Sequence, residues 1–360
     1  MKIIICFLIT VSNLIFSIDT IKEFESKNVR EFTFTYNVSL ESSDGKKIEL
    51  WLPVPQSNEV QTISNLSVDA GGLNYEIKDE KKHGNKYLYV FSNKGINEVK
   101  TIAMTFDVLR QEHENVEFSG VDSEKYLSAS MLVPIGKVFE SIIDKNKLNK
   151  NDMKSVYDFV LSGMHYGKPT GNKDNPNYKY INGGINKNTG KEWLPKDITY
   201  GRLKVTQDML VEKQNKKEGY AYGNGNSLYA CDIGVGNCTD YHSYFISLSR
   251  TLDVPARFHM GFPVPNDAEG KVGGYHCWAD YYIEGKGWHP VDISEADKAP
   301  EKAEYFSSTV CENRFEMVVG RDFILDGYDN GVLNLFIYPI LEIDDKISSS
   351  FSKSFSFKNI

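Results

Sequence analysis

Three residues of this sequence have the types and order to run covalent chemistry: Cys238, His276 and Asp292. Cys238 lies in "GNCTDYHSYF" (236–245), behind a small glycine-bearing turn and at the head of an apolar, helix-like run. A cysteine placed there has two readings. It is an inert core thiol, since free cysteine is among the most buried residue types, or a thiolate favoured by the free N–H groups and dipole of a helix start. His276 falls in "YHCWADYYIEG" and Asp292 closes "GWHPVD", two strand-like stretches joined by the turn "EGKG". Side by side on that hairpin, one carboxylate oxygen would hold the Nδ1–H of the imidazole and leave Nε2 facing the thiol. This is the base with its own orienting group that a cysteine nucleophile needs. The Cys238 N–H would help to stabilise a tetrahedral oxyanion.

The elements that must position these residues follow from periodicity. Residues 28–118 alternate as strands do: "REFTFTYNVSL" puts Phe32, Phe34 and Tyr36 on one face, and "IELWLPVP", "KYLYVFSN" and "VKTIAMTFDVLRQ" continue the pattern. An antiparallel β-sandwich is expected there. "GKVFESIIDKNKL" and "NDMKSVYDFVLSGMHY" carry apolar residues three and four apart and read as helices, with Asn151 capping the second. The Gly-, Asn- and Lys-rich stretch from 167 to 200 reads as a long surface loop and a candidate wall of a substrate cleft. Thr239 to Leu252 is a helix, and "ARFHMGFPVP", "RFEMVVGRDFIL" and "LNLFIYPILEI" are strands. The serine-rich residues 346–360 read as a frayed tail.

Composition bounds the function classes. A chain of 360 residues with 41% hydrophobic and 25% charged residues is globular and long enough for two domains. The net charge of -8, without a sustained basic stripe, argues against nucleic acid as a partner. "MKIIICFLITVSNLIFS" has one lysine and then an apolar run too short to span a membrane. It reads as a signal peptide over 1–17, with Ile15 and Ser17 flanking the cut; the competing reading is a buried N-terminal strand. Export to the periplasm or the extracellular space follows, with no integral membrane segment after the leader is removed. Zinc at Cys231, Cys238, His242, His276 and Cys277 is disfavoured. Cys231 and Cys238 lack the C-x₂₋₄-C spacing, and His276 and Cys277, adjacent on a strand, face opposite ways. No cofactor or metal is expected. Cys277 is expected to pack in the core, and His242, on the first turn of the helix, to line the cleft.

With these residues in place, the sequence resembles the transglutaminase-like superfamily of papain-fold cysteine enzymes. "GNCTDYHSYFISLSRTLDVPARFHMGF" is similar to that family's nucleophile segment, with G-x-C, an acid two residues on, and P-A-R before a strand. "GYHCWADYYIEGKGWHPVDISEA" is similar to its histidine–aspartate hairpin, and "ENR" and "GRD" recur in exported bacterial members. The resemblance covers roughly 225–325, extends over the helices from 136 and is consistent with the N-terminal β-region. It implies an α+β architecture: a transglutaminase-like core over 130–300 behind the β-sandwich, with the strands of 301–345 packing on the core or on the sandwich. It also implies Cys238 as nucleophile, His276 as general base and acid, Asp292 as its orienter, Trp278 packing beside the site and Arg257 as a structural cation. The expected function is acyl transfer through a thioester on Cys238, from a peptide bond or a glutamine side chain. The partner is a protein or peptide substrate, cell-wall peptide among them. Hydrolysis is favoured slightly over transfer to an amine. The alternative from another class is a non-catalytic binding module with a retired core, which predicts a buried or oxidised Cys238. The insertion at 171–200 leaves substrate preference open.

Overall fold

The computed structural model describes residues 28–169, 190 and 192–360. The leader-like residues 1–17, and 171–189 and 191 of the insertion, lie outside the described residues. The N-terminal strands are β1 (Val29–Leu40), β2 (Ile48–Val54), β3 (Gln61–Asp69), β4 (Asn74–Asp79), β5 (Lys86–Ser92) and β6 (Lys100–Gln111). The helical middle holds α1 (Val138–Asn146), α2 (Met153–Gly163), β7 (His165–Tyr166), α3 (Gln207–Asn215), α4 (Ser227–Ile233), β8 (Val235–Gly236) and α5 (Cys238–Thr251). Then come β9 (Ala256–Pro263), β10 (Glu269–Val272), β11 (His276–Ile283), β12 (Gly287–Val291), α6 (Ile293–Lys298) and α7 (Ala303–Phe306). The chain ends with β13 (Arg314–Val319), β14 (Ile340–Ile343), β15 (Lys346–Ser348) and β16 (Phe351–Asn359). The fold is mixed α+β, and its three larger sheets are antiparallel.

The period of two in β1 has the effect expected of it: Phe32, Phe34, Tyr36, Val38 and Leu40 are all buried. Their partners differ from those of a free-standing sandwich. One five-stranded sheet runs β10-β16-β1-β6-β3 and the other β15-β14-β2-β5-β4, so each takes strands from the far end of the chain. The aromatic face of β1 packs on β9 and β13, with Phe34 5.1 Å from Phe262 and 4.7 Å from Phe315, ring centre to ring centre. These sheets share one hydrophobic core with α1, α2, α5 and α6, and a smaller cluster around Trp193, Leu210 and Tyr229 lies apart from it.

Residues 346–360 are not a frayed tail. They form β15 and β16, and β16 sits between β1 and β10 in register with both. Phe355 and Phe357 are buried, while Ser352, Ser354 and Lys358 on the other face are exposed, so the period of two is present but hidden by the serine content.

The four-stranded sheet β12-β11-β9-β13 carries the hairpin of the site. Its turn needs glycine at Gly287: φ is +82° there, and a Cβ would stand 2.6 Å from the Val116 carbonyl oxygen. The α2 helix is capped by Asp152, whose side chain accepts from Ser155 N at 3.1 Å, rather than by Asn151. The α5 helix lies among α1, α2, α4, α6, β9 and β11. Every residue from Cys238 to Arg250 is buried, although several are polar. Its polar side chains turn back on their own helix: Ser243, Ser249 and Thr251 each donate to the carbonyl four residues earlier, at 2.6–2.9 Å. That satisfaction lets a serine-rich helix sit at the centre of the molecule.

Candidate active site

Cys238 is the first residue of α5, behind the N-cap Asn237. The Asn237 side chain accepts from Thr239 N and Asp240 N, and the Asp240 carboxylate reaches back to Asn237 N at 3.1 Å, closing a capping box. The same carboxylate takes the N–H groups of Gly223 (2.8 Å) and Gly225 (3.0 Å). From the opposite side Arg321 donates to the carbonyls of Asn224 and Gly225, each at 3.0 Å. The Gly223–Gly225 loop beside Cys238 is therefore gripped by both its donors and its acceptors. Gly225 has φ +63°, and a Cβ would lie 2.5 Å from the Arg321 guanidinium, so no larger residue fits. Burial pushes the Asp240 carboxyl up to about 7 against these three N–H donors.

His276 opens β11 and Asp292 caps α6, one residue beyond β12. The His276 ring Nε2 lies 2.6 Å from Asp292 Oδ2. The other carboxylate oxygen accepts from Ser294 Oγ and Glu295 N, both at 3.2 Å. Here the structure corrects the expected assignment of ring nitrogens. The register that pairs Ala279 with Val291 carries Asp292 opposite Trp278, so His276 meets it on the diagonal. The far nitrogen, Nε2, spans that diagonal, and Nδ1 remains for the thiol side.

Charge and burial separate the four described cysteines, all of them free thiols. Burial pushes Cys231 up to about 12, and Cys277 and Cys311 also rise by burial. Cys238 alone falls, well below the ordinary thiol value. A hydrogen bond from the Cys277 thiol is the largest cause, with the bond and charge of His276 acting against the burial. Burial opposes a charged His276, but the charge and hydrogen bond of Asp292, then the contact with Cys238, hold its pKa up at about 9. Asp292 stays ionised in spite of its burial, because His276, His242 and Arg314 face it.

Cys277 and His242 take places other than those expected. Cys277 is buried as predicted, yet its thiol touches Cys238 and lies 3.6 Å from Thr239 Oγ1. His242 does not line a cleft but is completely buried. Trp278 stacks on His259 with ring centres 5.5 Å apart and planes within 3°. Arg257 pairs with Asp280 through Nε at 3.0 Å, beneath the Trp288 ring at 3.9 Å, a buried structural ion pair. Two residues of the "ENR" and "GRD" stretches turn out to serve the site. Arg314 brings Nη2 to 3.2 Å from Glu295 and Nε to 3.9 Å from Asp292, and Arg321 clamps the glycine loop. Asn237 and its capping box were legible as an N-cap residue three positions before an acid. His276, Asp292 and Glu295 bring three potential ligand atoms within 4.8 Å of one another. The His276–Asp292 bond and the Glu295 pairs with Arg314 and Lys298 already occupy them.

Residues 193–293 match the family model of the transglutaminase-like superfamily, and Cys238, His276 and Asp292 all fall inside the match. The chain carries a transglutaminase-like domain. An uncharacterized protein of Haemophilus influenzae is 23% identical over 305 residues, covering 74% of this chain and 69% of the relative. Among solved structures, a provisionally assigned cysteine protease from Cytophaga hutchinsonii aligns with TM-score 0.47 and 13% identity, over 92% of this chain and 98% of that one. The periplasmic domain of TgpA from Pseudomonas aeruginosa aligns with TM-score 0.32 and 12% identity, over 78% and 92%. No helix among the described residues is long and apolar enough to cross a membrane.

Proposed function

We propose that the protein is a cysteine-dependent acyl-transfer enzyme acting on an amide. Cys238 is its nucleophile, His276 its general acid and base, and Asp292 the group that orients His276. The observation that carries this reading is the arrangement itself: Cys238 opens α5 against His276, whose Nε2 lies 2.6 Å from Asp292 Oδ2, and of the four described cysteines Cys238 alone is pushed toward the thiolate. In the first half-reaction the Cys238 thiolate attacks the amide carbonyl and the Cys238 N–H faces the developing oxyanion. The C–N bond then breaks, and His276 gives its Nδ1 proton to the leaving amine. In the second half-reaction His276 takes a proton from the incoming nucleophile as it attacks the thioester, and Cys238 departs as thiolate.

Water is the acceptor we assign, as the resemblance to exported bacterial members implies. The substrate is then a peptide-type or glutamine amide, cell-wall peptide included. A cavity of about 740 Å³ next to Glu295 and Arg314, walled by Val264, Tyr305 and Phe306, gives a peptide segment room beside the site. The leader-like residues 1–17 support an exported site of action, which N-terminal sequencing of the mature protein checks. A panel of glutamine-donor and peptide substrates, with and without a primary amine, tests the activity. Ammonia or a free peptide terminus released by the wild type but not by Cys238→Ala supports the reading. Amine incorporation in preference to release replaces hydrolysis by transfer.

One observation favours the non-catalytic alternative: Cys238 is only 4% exposed. A retired core predicts that Cys238→Ala leaves partner binding intact and that no substrate turns over.

A further inference from the structure

His242 is the one histidine of α5, and both of its ring nitrogens are committed to backbone atoms. Its Nδ1 lies 2.7 Å from the Cys238 carbonyl oxygen, one turn back along the helix. Its Nε2 accepts from the backbone N–H of Ile293 at 3.0 Å. Because the Ile293 N–H is the donor in the second bond, Nε2 presents its lone pair and Nδ1 carries the single proton, which it gives to Cys238 O. Burial pushes the imidazole down toward the neutral form, with Asp292, Cys238 and His276 the charged or titratable groups facing it. The nearest carboxylate oxygen, Asp292 Oδ1, stands 3.9 Å from Nε2.

The two backbone atoms belong to the two turns that must hold register for the site to work. Cys238 opens α5, and Ile293 opens α6 directly after its cap, Asp292. The first N–H groups of a helix have no partner inside it. In α6, Asp292 satisfies that of Glu295, and His242 satisfies that of Ile293.

We propose that His242 is a positioning residue. Its imidazole ties the turn bearing Cys238 to the turn bearing Asp292 and so fixes how His276, held by Asp292, meets the thiol. The proposal rests on the reading of Cys238 as nucleophile. No substrate touches His242, and its action runs through the two backbone bonds. A side chain that keeps one bond and drops the other releases the registration. Asparagine retains an amide nitrogen near the Nδ1 position for Cys238 O, and glutamine extends toward Ile293 N; neither bridges both.

The test has two arms. In the unmodified protein, long-range ¹H–¹⁵N spectra of the histidines are expected to show His242 as the neutral Nδ1–H tautomer; the Nε2–H tautomer or an imidazolium at neutral pH overturns the assignment. In the second arm, peptide-mapped alkylation of Cys238 by iodoacetamide is followed at about pH 6, below the ordinary thiol value of about 8.5. Wild type is compared with His242→Asn, His242→Gln and His242→Ala, each checked for cooperative unfolding in urea. The folded Asn and Gln variants are expected to alkylate about 10²-fold more slowly, the order of loss that a misplaced reacting group brings. With a substrate in hand, kcat falls and KM holds. Folded variants that alkylate at the wild-type rate overturn the proposal, and the Asn and Gln variants decide it if Ala does not fold. If wild-type Cys238 is itself unreactive at this pH, the nucleophile reading has failed and the proposal falls with it, a result visible in the wild-type sample alone.

Discussion

Replacing Asp292 by asparagine removes one charge from the centre of the site and leaves its shape. One carboxylate oxygen receives the His276 ring, and the other receives Ser294 Oγ and Glu295 N. An amide has a single acceptor, so one side is always mismatched. Either its NH₂ faces the imidazole and turns the ring to the Nδ1–H tautomer, or it faces Glu295 N and loosens the α6 cap. The His276 pKa is held at about 9 against burial, and Asp292 is the foremost cause that raises it. An ordinary histidine titrates at about 6.5, so the gap is about 2.5 pH units, or about 3 kcal/mol in favour of the imidazolium. Losing most of that destabilises the charged pair about 10²-fold. The sign follows from the same values. The imidazolium that protonates the leaving group is present below about pH 9 in the wild type. In the variant the alkaline limb of the activity profile moves toward acid by about two pH units. The assay is the pH dependence of Cys238 alkylation and of amide turnover, with circular dichroism to confirm the fold. A folded Asp292→Asn protein whose two profiles coincide with those of the wild type would refute the reasoning, because Asp292 would then have no hold on His276.

Cys277→Ala removes the foremost cause of the low Cys238 pKa, so the alkylation profile of Cys238 shifts toward higher pH, and Cys277→Ser, which restores a donor, shifts it part of the way back; identical profiles in all three proteins contradict the thiol–thiol contact. Arg321→Ala leaves the Gly225 carbonyl without this donor and the Asn224 carbonyl with Asn334 alone, so stability falls by about 2–3 kcal/mol, the cost of losing hydrogen bonds from a buried charged group; an unchanged midpoint of urea denaturation contradicts it. Truncation after Asp345 takes out β15 and β16, withdrawing the strand between β1 and β10, and is expected to leave the chain without a cooperative thermal transition; a truncated protein melting at the full-length temperature would restore the frayed-tail reading.

How far the sequence could be read depended on whether the signal was local. The alternation in β1, the turn before Gly287 and the helix after Cys238 depend on neighbours in the chain, and each shows in the residues themselves. The membership of the sheets depends on pairings between distant segments. Nothing near "SSSFSKSFSFKNI" announces that β1 is its partner, and a serine-rich composition outweighs three phenylalanines at even spacing. At the site, the order of Cys238, His276 and Asp292 pointed to a thiol, a base and an acid. The choice of ring nitrogen came from a diagonal register that no single strand reveals. Arg321, His242 and Cys277 were out of reach for the same reason. Each acts through a backbone or thiol contact across elements, and a buried histidine on a helix looks the same in sequence whether it faces a cleft or ties two turns together.

The central claim is that Cys238 is a thiolate held beside the His276 imidazolium. It is tested most directly by iodoacetamide labelling of the unmodified protein between about pH 4 and pH 9, with the alkylated cysteine identified by peptide mapping. The account predicts that Cys238 alkylates far below the ordinary thiol pKa, that Cys231, Cys277 and Cys311 do not, and that His276→Ala abolishes the difference. A Cys238 that stays inert, or reacts no faster than the other three, contradicts it and leaves the chain a binding module built on a transglutaminase-like fold.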